Sequence, residues 1–194
     1  MKAIAIIQDE HRAITAVVEG LRHLVGEIAA GHMAVDHALL GALFEYIGQF
    51  PERLHHPKED NYLFASLRVR RPDAAALLDG LHREHEVGRE RFAELVALWE
   101  RYRADPAALP AFAEAVERYS HFHWRHMRKE EDEVLPLAAT ALTAEDWAAI
   151  DAAFASNQDP VVGVAAGRAF RELFRHLAAI MPPPYGVGPA TPAP

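Results

Sequence analysis

Two stretches of the chain place a carboxylate four residues after a histidine. They are residues 55–60 (His-His-Pro-Lys-Glu-Asp) and residues 126–131 (His-Met-Arg-Lys-Glu-Glu). On an α-helix this spacing leaves the two side chains about 40° apart around the axis and one turn apart along it. A neutral imidazole and a carboxylate so placed can bind one metal ion together. Two such helices facing each other could hold two ions and share carboxylates between them.

Four long segments of the chain have the three- and four-residue spacing of apolar side chains that is typical of helices in a bundle. Asp36 and Asp73 are expected N-caps of the second and third helices, and Gly31 is an expected C-cap of the first. The segments run from about residue 3 to 30, from 36 toward 67, from 73 to 105 and from about 110 to 137.

Two prolines lie inside the second helical segment, Pro51 and Pro57. Each removes a backbone donor and kinks or breaks a helix. We therefore expect the second helix to be distorted around His55 and Glu59.

Each of the four helices has polar side chains within its apolar stripe. Any one of them alone could be a core histidine bonded to a carbonyl, a surface pair or an i,i+4 salt bridge. A buried imidazole or carboxylate is costly unless it is paired or bound to a metal. Because such groups occur on all four helices, a shared metal site explains them better than packing does. They are His11 on the first helix, His55 and Glu59 on the second, His85 on the third, and His126 and Glu130 on the fourth.

These candidate ligands offer nitrogen and oxygen but no sulfur, and the chain has no cysteine. Imidazole with carboxylate suits iron, manganese or zinc. Four imidazoles and two carboxylates can support two ions without saturating them at six-coordination. Solvent, a bridging oxygen or a further side chain would complete the coordination, and an open position would admit a small diatomic ligand.

The composition narrows the remaining classes of protein. A formal net charge of −8 argues against general nucleic-acid binding. The chain has no run of 18 apolar residues that would predict a membrane span, and no secretory signal is evident, so we expect a cytoplasmic location.

Residues 1–142 should form the helical bundle. Residues 143–181 should form an extension with helices over 144–155 and 164–180, the first capped by Thr143 and Asp146. The Pro-rich residues 182–194 should be disordered.

Taken in order, the motifs resemble the hemerythrin-like, or HHE cation-binding, family from residue 11 to about residue 138. They are Glu10-His11-Arg12, residues 55–60 with Tyr62-Leu63-Phe64, Glu84-His85-Glu86 and residues 126–136. The resemblance implies an all-α, up-down-up-down four-helix bundle that holds two non-haem iron ions with an oxo or hydroxo bridge. Zinc and manganese are the alternatives. It also implies binding or sensing of dioxygen, nitric oxide or iron, and in some members peroxide chemistry.

Carried over to this chain, the resemblance makes His11, His55, His85 and His126 terminal ligands, with Glu59 and Glu130 bridging or capping the ions. Oxygen-carrying hemerythrins place two histidines four apart on the third helix, whereas the residue four before His85 is Leu81. Either His82 replaces the missing ligand or one ion has fewer ligands. The acid five after the fourth-helix histidine is Glu131, and we prefer Glu130. His56, His121 and His123 remain candidates for additional or outer-sphere roles, with His123 on the face of His126.

Three functions remain open from the sequence. The first is a di-iron protein that binds or senses a small ligand, and the second is an enzyme that acts on peroxide or nitric oxide at the same site. The third is a helical interaction bundle with a vestigial metal site. The helices beyond residue 142 are expected either to cover the bundle or to form a homodimer contact. Nothing in the sequence separates the first two functions.

Overall fold

The computed structural model describes residues 1–156 and 175–179, and within them the fold is helical with no strand. Most of the helix expected over residues 164–180, and all of the tail over residues 182–194, lie outside the described residues. The α-helices are α1 (Lys2–Ala29), α2 (His37–Gln49), α3 (His56–Lys58), α4 (Ala65–Arg70), α5 (Ala75–Ala104), α6 (Leu109–Lys129), α7 (Leu135–Ala141) and α8 (Ala144–Ala155). None of the described helices is long and apolar enough to span a membrane.

The helix ends follow the capping chemistry of the sequence at most positions. The Asp36 carboxylate accepts hydrogen bonds from two amides of the first turn of α2. Gly31 has a φ of +75° just after α1, a conformation that glycine adopts without strain. Thr143 and Asp146 form the expected capping box. The expectation for Asp73 was wrong, because Pro72 starts a short 3-10 turn and the Asp73 carboxylate pairs with Arg71 instead.

Helix α6 packs against α1 and α5, and α2 packs against the same two helices. Two apolar clusters fill the interior, one at each end of this bundle. Along α1, Ile7 belongs to one cluster and Ile14 to the other, with His11 between them. Along α5, Leu81 and Leu95 flank His85 in the same way. The predicted polar residues therefore form one layer between two apolar layers.

The second helical segment is distorted at the positions that its prolines predicted. Residues 51–55 and 59–64 are π-helical, with α3 between them. The amide of His55 reaches back five residues to the Phe50 carbonyl, at 3.1 Å. Residues 130–134, directly after α6, are also π-helical. Short π-helical turns inside α-helices are frequent at functional sites, and here Glu59 and Glu130 each begin one.

Candidate metal centre

All six residues that the sequence singled out meet in the polar layer. Each is at most 2% exposed. They come from four separate helical segments, so no local interaction accounts for their meeting. They are His11, His55, Glu59, His85, His126 and Glu130.

One half of the site is formed by His11 and His55 with Glu59. The Nε2 atoms of the two histidines lie 3.1 Å apart. Glu59 Oε1 lies 3.5 Å from His11 Nε2 and 3.3 Å from His55 Nε2. Glu130 Oε2 completes this half at 3.5 Å from His11 Nε2. The two imidazoles and Glu59 offer atoms that all lie within 4.8 Å of one another, and Glu130 approaches this group from the side of His11.

The other half uses the second oxygen of each carboxylate. Glu59 Oε2 lies 3.5 Å from His85 Nε2, and Glu130 Oε1 lies 3.6 Å from the same nitrogen. His126 Nε2 is 3.4 Å from Glu130 Oε1. Both carboxylates thus face both halves, which is the arrangement needed to bridge two metal ions.

The nitrogen and oxygen atoms of this site are better suited to bind metal cations than to form hydrogen bonds with one another. Among the residues that the structure describes, no hydrogen-bond partner reaches six buried atoms: both oxygens of Glu59, both oxygens of Glu130 and the Nε2 atoms of His85 and His126. Buried polar atoms are nearly always paired, because an orphaned one costs about 1–3 kcal/mol. Imidazole nitrogens and carboxylate oxygens are ligands of iron, manganese and zinc, so metal cations in the layer would provide the missing partners.

The carboxylates of Glu59 and Glu130 favour positive charge on the groups around them. Burial lowers the pKa of His11, but Glu131, Glu59 and Glu130 outweigh burial and raise that pKa to about 10. Burial would raise the pKa of Glu59, yet His55, His11 and His85 hold it well below its usual range. The charge that balances these carboxylates can be supplied either by protons on the imidazoles or by metal cations.

A carboxylate also contacts the outer nitrogen, Nδ1, of each of the four histidines. Three of these contacts are hydrogen bonds: Glu10 to His55 at 2.8 Å, Glu84 to His126 at 3.0 Å and Glu131 to His11 at 3.0 Å. The fourth is a close approach of Asp60 Oδ1 to His85 Nδ1 at 3.1 Å. Such partners fix the orientation of a ligating imidazole and raise its basicity.

These four outer carboxylates form a closed ring around the centre. Each one neighbours a candidate ligand in the chain but supports the histidine of a different segment. The first segment supports the second (Glu10 to His55), the second supports the third (Asp60 to His85), the third supports the fourth (Glu84 to His126), and the fourth supports the first (Glu131 to His11).

On each of the two π-helical turns, two successive acids both serve the site. On the regular helices α1 and α5 an acid next to a histidine does the same, namely Glu10 beside His11 and Glu84 beside His85. The wider turn that begins at Glu130 lets Glu130 face the centre while Glu131 reaches His11. The turn that begins at Glu59 does the same for Glu59 and Asp60.

Removing one outer carboxylate should weaken metal binding without unfolding the protein. The side chain of Glu131 is 35% exposed, so Glu131→Ala leaves no buried cavity. We expect the metal affinity to fall by about 10- to 100-fold, because His11 loses the group that orients it. Competition with a coloured chelator measures the change. The matched control is Glu133→Ala, which alters an exposed carboxylate of the same turn. Equal affinities in the two variants would contradict the role of Glu131.

His56 fits the position that the third helix leaves empty. It is buried, and it offers a nitrogen within 4.8 Å of those of His85 and His126. Its Nδ1 lies 3.7 Å from Glu52 Oε2, which is beyond hydrogen-bond distance. The sequence left His56 as an additional candidate only, because a regular helix would turn it away from His55.

The other histidines of interest lie outside the two halves. His82 has a side chain 48% exposed, and its Nδ1 lies 3.1 Å from the carboxylate of Asp60. It does not enter the layer in place of the missing third-helix histidine, and it is an outer neighbour of Asp60. His123 is buried beside His56, whereas His121 is exposed. Sequence reasoning gave no role to Glu10, Asp60 or Glu84, although each stood inside a quoted motif.

Helix α8 covers the His11 and His55 half from outside. The Phe154 ring lies 6.4 Å from the His55 ring in an edge-on arrangement. Lys58 donates to the Ala153 carbonyl at 2.9 Å and to the Ser156 hydroxyl at 3.2 Å. Asp151 accepts from the Ala3 amide at 2.7 Å and so caps the start of α1. Helix α8 therefore packs over the His55 side of the site.

The sequence model of the hemerythrin HHE cation binding domain matches residues 2–138. This region is more than half of the 194 residues, includes every candidate ligand and outer carboxylate described above, and ends before α8. Comparisons with curated proteins and with solved structures found no match. The chain therefore belongs to the hemerythrin HHE cation-binding family.

Proposed function

We propose that the protein holds a dinuclear non-haem iron centre and uses it to bind or sense a small ligand, such as dioxygen, nitric oxide or iron itself. One observation carries this proposal: both oxygens of Glu59 and of Glu130 face two separate sets of imidazole nitrogens. A single ion in the polar layer would leave half of these atoms without a partner. In this proposal the four helical segments run up-down-up-down around the centre.

The ligands divide unequally between the two ions. His11 and His55 would bind the first ion, and His85, His126 and His56 would bind the second. Glu59 and Glu130 would bridge them. The first ion would have two imidazole ligands and the second would have three, so the first would have fewer protein ligands. Helix α8 covers the side of the first ion. The bound ions would supply redox chemistry and an exchangeable position for a small ligand.

The buried and complete set of donors favours an active site over a vestigial one. A helical bundle that kept only a scaffold role would gain stability by replacing buried charges with apolar side chains. Here the six candidate ligands and their outer carboxylates are all present and meet in one layer. Their convergence in one buried layer supports a site that binds cations.

Elemental analysis of the purified protein, together with its absorption spectrum, tests the proposal. We expect close to two iron atoms per chain and the near-ultraviolet charge-transfer bands of an oxo-bridged ferric pair. Colourless protein saturated with zinc would move the assignment to another metal. Protein without stoichiometric metal and indifferent to chelators would overturn the proposal in favour of an interaction bundle. Gas evolution from peroxide that is lost in His126→Ala would instead identify an enzyme.

A further inference from the structure

A second group of buried polar side chains lies beside the His85 and His126 half of the centre. Glu52, His56, Tyr119 and His123 are all buried. The His123 ring is parallel to that of His56, with 5.9 Å between their centroids, and lies 4.3 Å from the Tyr119 ring. The Tyr119 hydroxyl donates a long hydrogen bond, 3.5 Å, to Glu52 Oε1. This group faces the centre through His56 and the outside through Glu52.

Several atoms of this group have no hydrogen-bond partner within residues 1–156 and 175–179. They are Glu52 Oε2, His56 Nδ1 and both ring nitrogens of His123. Glu52 Oε2 lies 3.7 Å from His56 Nδ1, and Glu52 Oε1 lies 4.0 Å from His123 Nε2. These separations exceed a direct hydrogen bond but suit a molecule shared between the groups. Buried sites with two to four such polar partners hold ordered water or a polar ligand.

The backbone leaves room at this place. Gly88 of α5 faces the group, and a Cβ added there would lie 3.9 Å from both Glu52 Oε1 and His123 Cε1 and 3.4 Å from the Phe122 ring. Any larger side chain at this position would enter the space between Glu52 and His123. The site is thus bounded by a residue that contributes no side chain.

A surface pocket of about 410 Å³ connects this group with solvent, since Glu52 lines it. The aromatic rings of Phe44 and Phe92 and the bare backbone of Gly48 form part of its wall. Its charged lining residues balance, with Glu45 and Glu52 against Arg53 and Arg89. A pocket lined by equal numbers of acidic and basic residues does not concentrate ions of either sign, so it favours a neutral ligand.

We propose that the space bounded by Glu52, His56 and His123 is a second binding site, for a small neutral molecule that both donates and accepts hydrogen bonds. Water and hydrogen peroxide are the smallest members of this class. The molecule reaches the site from the pocket at Phe44 and Phe92, and Glu52 separates the two spaces. Delivery of the molecule from this site to the ions rests on the proposed function, whereas occupancy of the site does not.

High-resolution crystal structures of the protein as isolated and after chelation test the site itself. We expect ordered water within about 3.2 Å of at least two of the three side chains in both structures. The water should be absent in Glu52→Leu, which keeps the volume of the side chain but removes its acceptors. A direct Glu52–His123 hydrogen bond with no solvent between them in both wild-type crystals would overturn the proposal. This test does not depend on metal.

The rate at which hydrogen peroxide associates with the iron-loaded protein, followed by absorption, tests the route. Gly48→Leu places a side chain in the pocket, where even a Cβ would lie 3.1 Å from the Phe92 ring. We expect association to slow by about tenfold, equivalent to ~1.4 kcal/mol on the barrier. The matched control is Gly41→Leu, on the same helix, where a Cβ would meet Trp99 at 3.4 Å outside the pocket.

The outcomes separate this inference from the proposed function. Equal rates in Gly48→Leu and Gly41→Leu would overturn the route. Protein that carries no metal would refute the dinuclear centre, and the crystallographic water would then decide the site alone. Ordered water together with a slowed Gly48→Leu would support both the site and its delivery role.

Discussion

Glu59→Gln is expected to lose both metal ions rather than one. The two oxygens of Glu59 face the imidazoles of both halves, at 3.3 Å from His55 Nε2 and 3.5 Å from His85 Nε2. A glutamine keeps the shape but supplies only one neutral oxygen, so it cannot bridge two cations. The affinity for both ions should fall by more than about 100-fold, beyond the range for outer-sphere partners. Metal content after gel filtration measures the loss.

The same result is expected for Glu130→Gln, whose oxygens are divided between the halves in the same way. Glu133→Gln is the matched control, because it alters an exposed carboxylate three residues after Glu130 in the same π-helical turn. Retention of one ion per chain in Glu59→Gln would show that Glu59 caps a single ion. Unchanged metal content in both variants would refute their role as ligands.

Removal of the metal from the wild-type protein should lower its melting temperature substantially. A ligand present at 1,000 times its Kd stabilises the folded state by about 4.1 kcal/mol. For a chain of this size each kcal/mol corresponds to roughly 2–4 °C, so one ion accounts for about 8–16 °C and two for more. Differential scanning calorimetry with and without a chelator measures the shift.

Glu59→Gln provides the internal control for this measurement. Since that variant should bind no metal, the chelator should leave its melting temperature unchanged. A wild-type shift below about 2 °C, with metal analysis confirming removal, would contradict the coupling between metal binding and stability. A chelator effect of equal size in the variant would show that the chelator acts on the protein by another route.

The sequence was sufficient to predict the four helical segments and the residues of the inner layer. A polar side chain in an apolar stripe has to be compensated wherever the helix packs, so His11, His85 and their partners stand out without any knowledge of the fold. The prolines likewise predicted the distortion at His55 and Glu59, because the loss of a backbone donor is a local property.

The outer carboxylates could not be predicted in the same way. Glu10, Asp60 and Glu84 occupy positions beside the ligands where a polar residue needs no explanation. Their partners lie on other helices, and the rotation of one helix against another is not encoded in periodicity. A single detectable signal was present: in each ligand motif at least one acid that binding does not require stands directly beside a ligand.

The sequence identified His56 only as an additional candidate and did not identify Glu52, for a different reason. The arithmetic of 3.6 residues per turn places His56 about 100° from His55, but π-helical turns on either side of α3 change the directions of these side chains. The exact placement of such turns depends on tertiary packing. Asp73 failed as a cap because Arg71, two residues away, competes for its carboxylate.

The closed ring of carboxylates means that no helix holds its own histidine in position. Each imidazole is aimed by the helix that precedes it around the ring, and the last helix aims the first. If one helix of the chain were not docked, a histidine on another helix would therefore be misaligned. No partly folded chain would then offer a complete site to an ion. Binding of a metal cation should therefore require all four helical segments to be docked, so partly folded chains would not hold one.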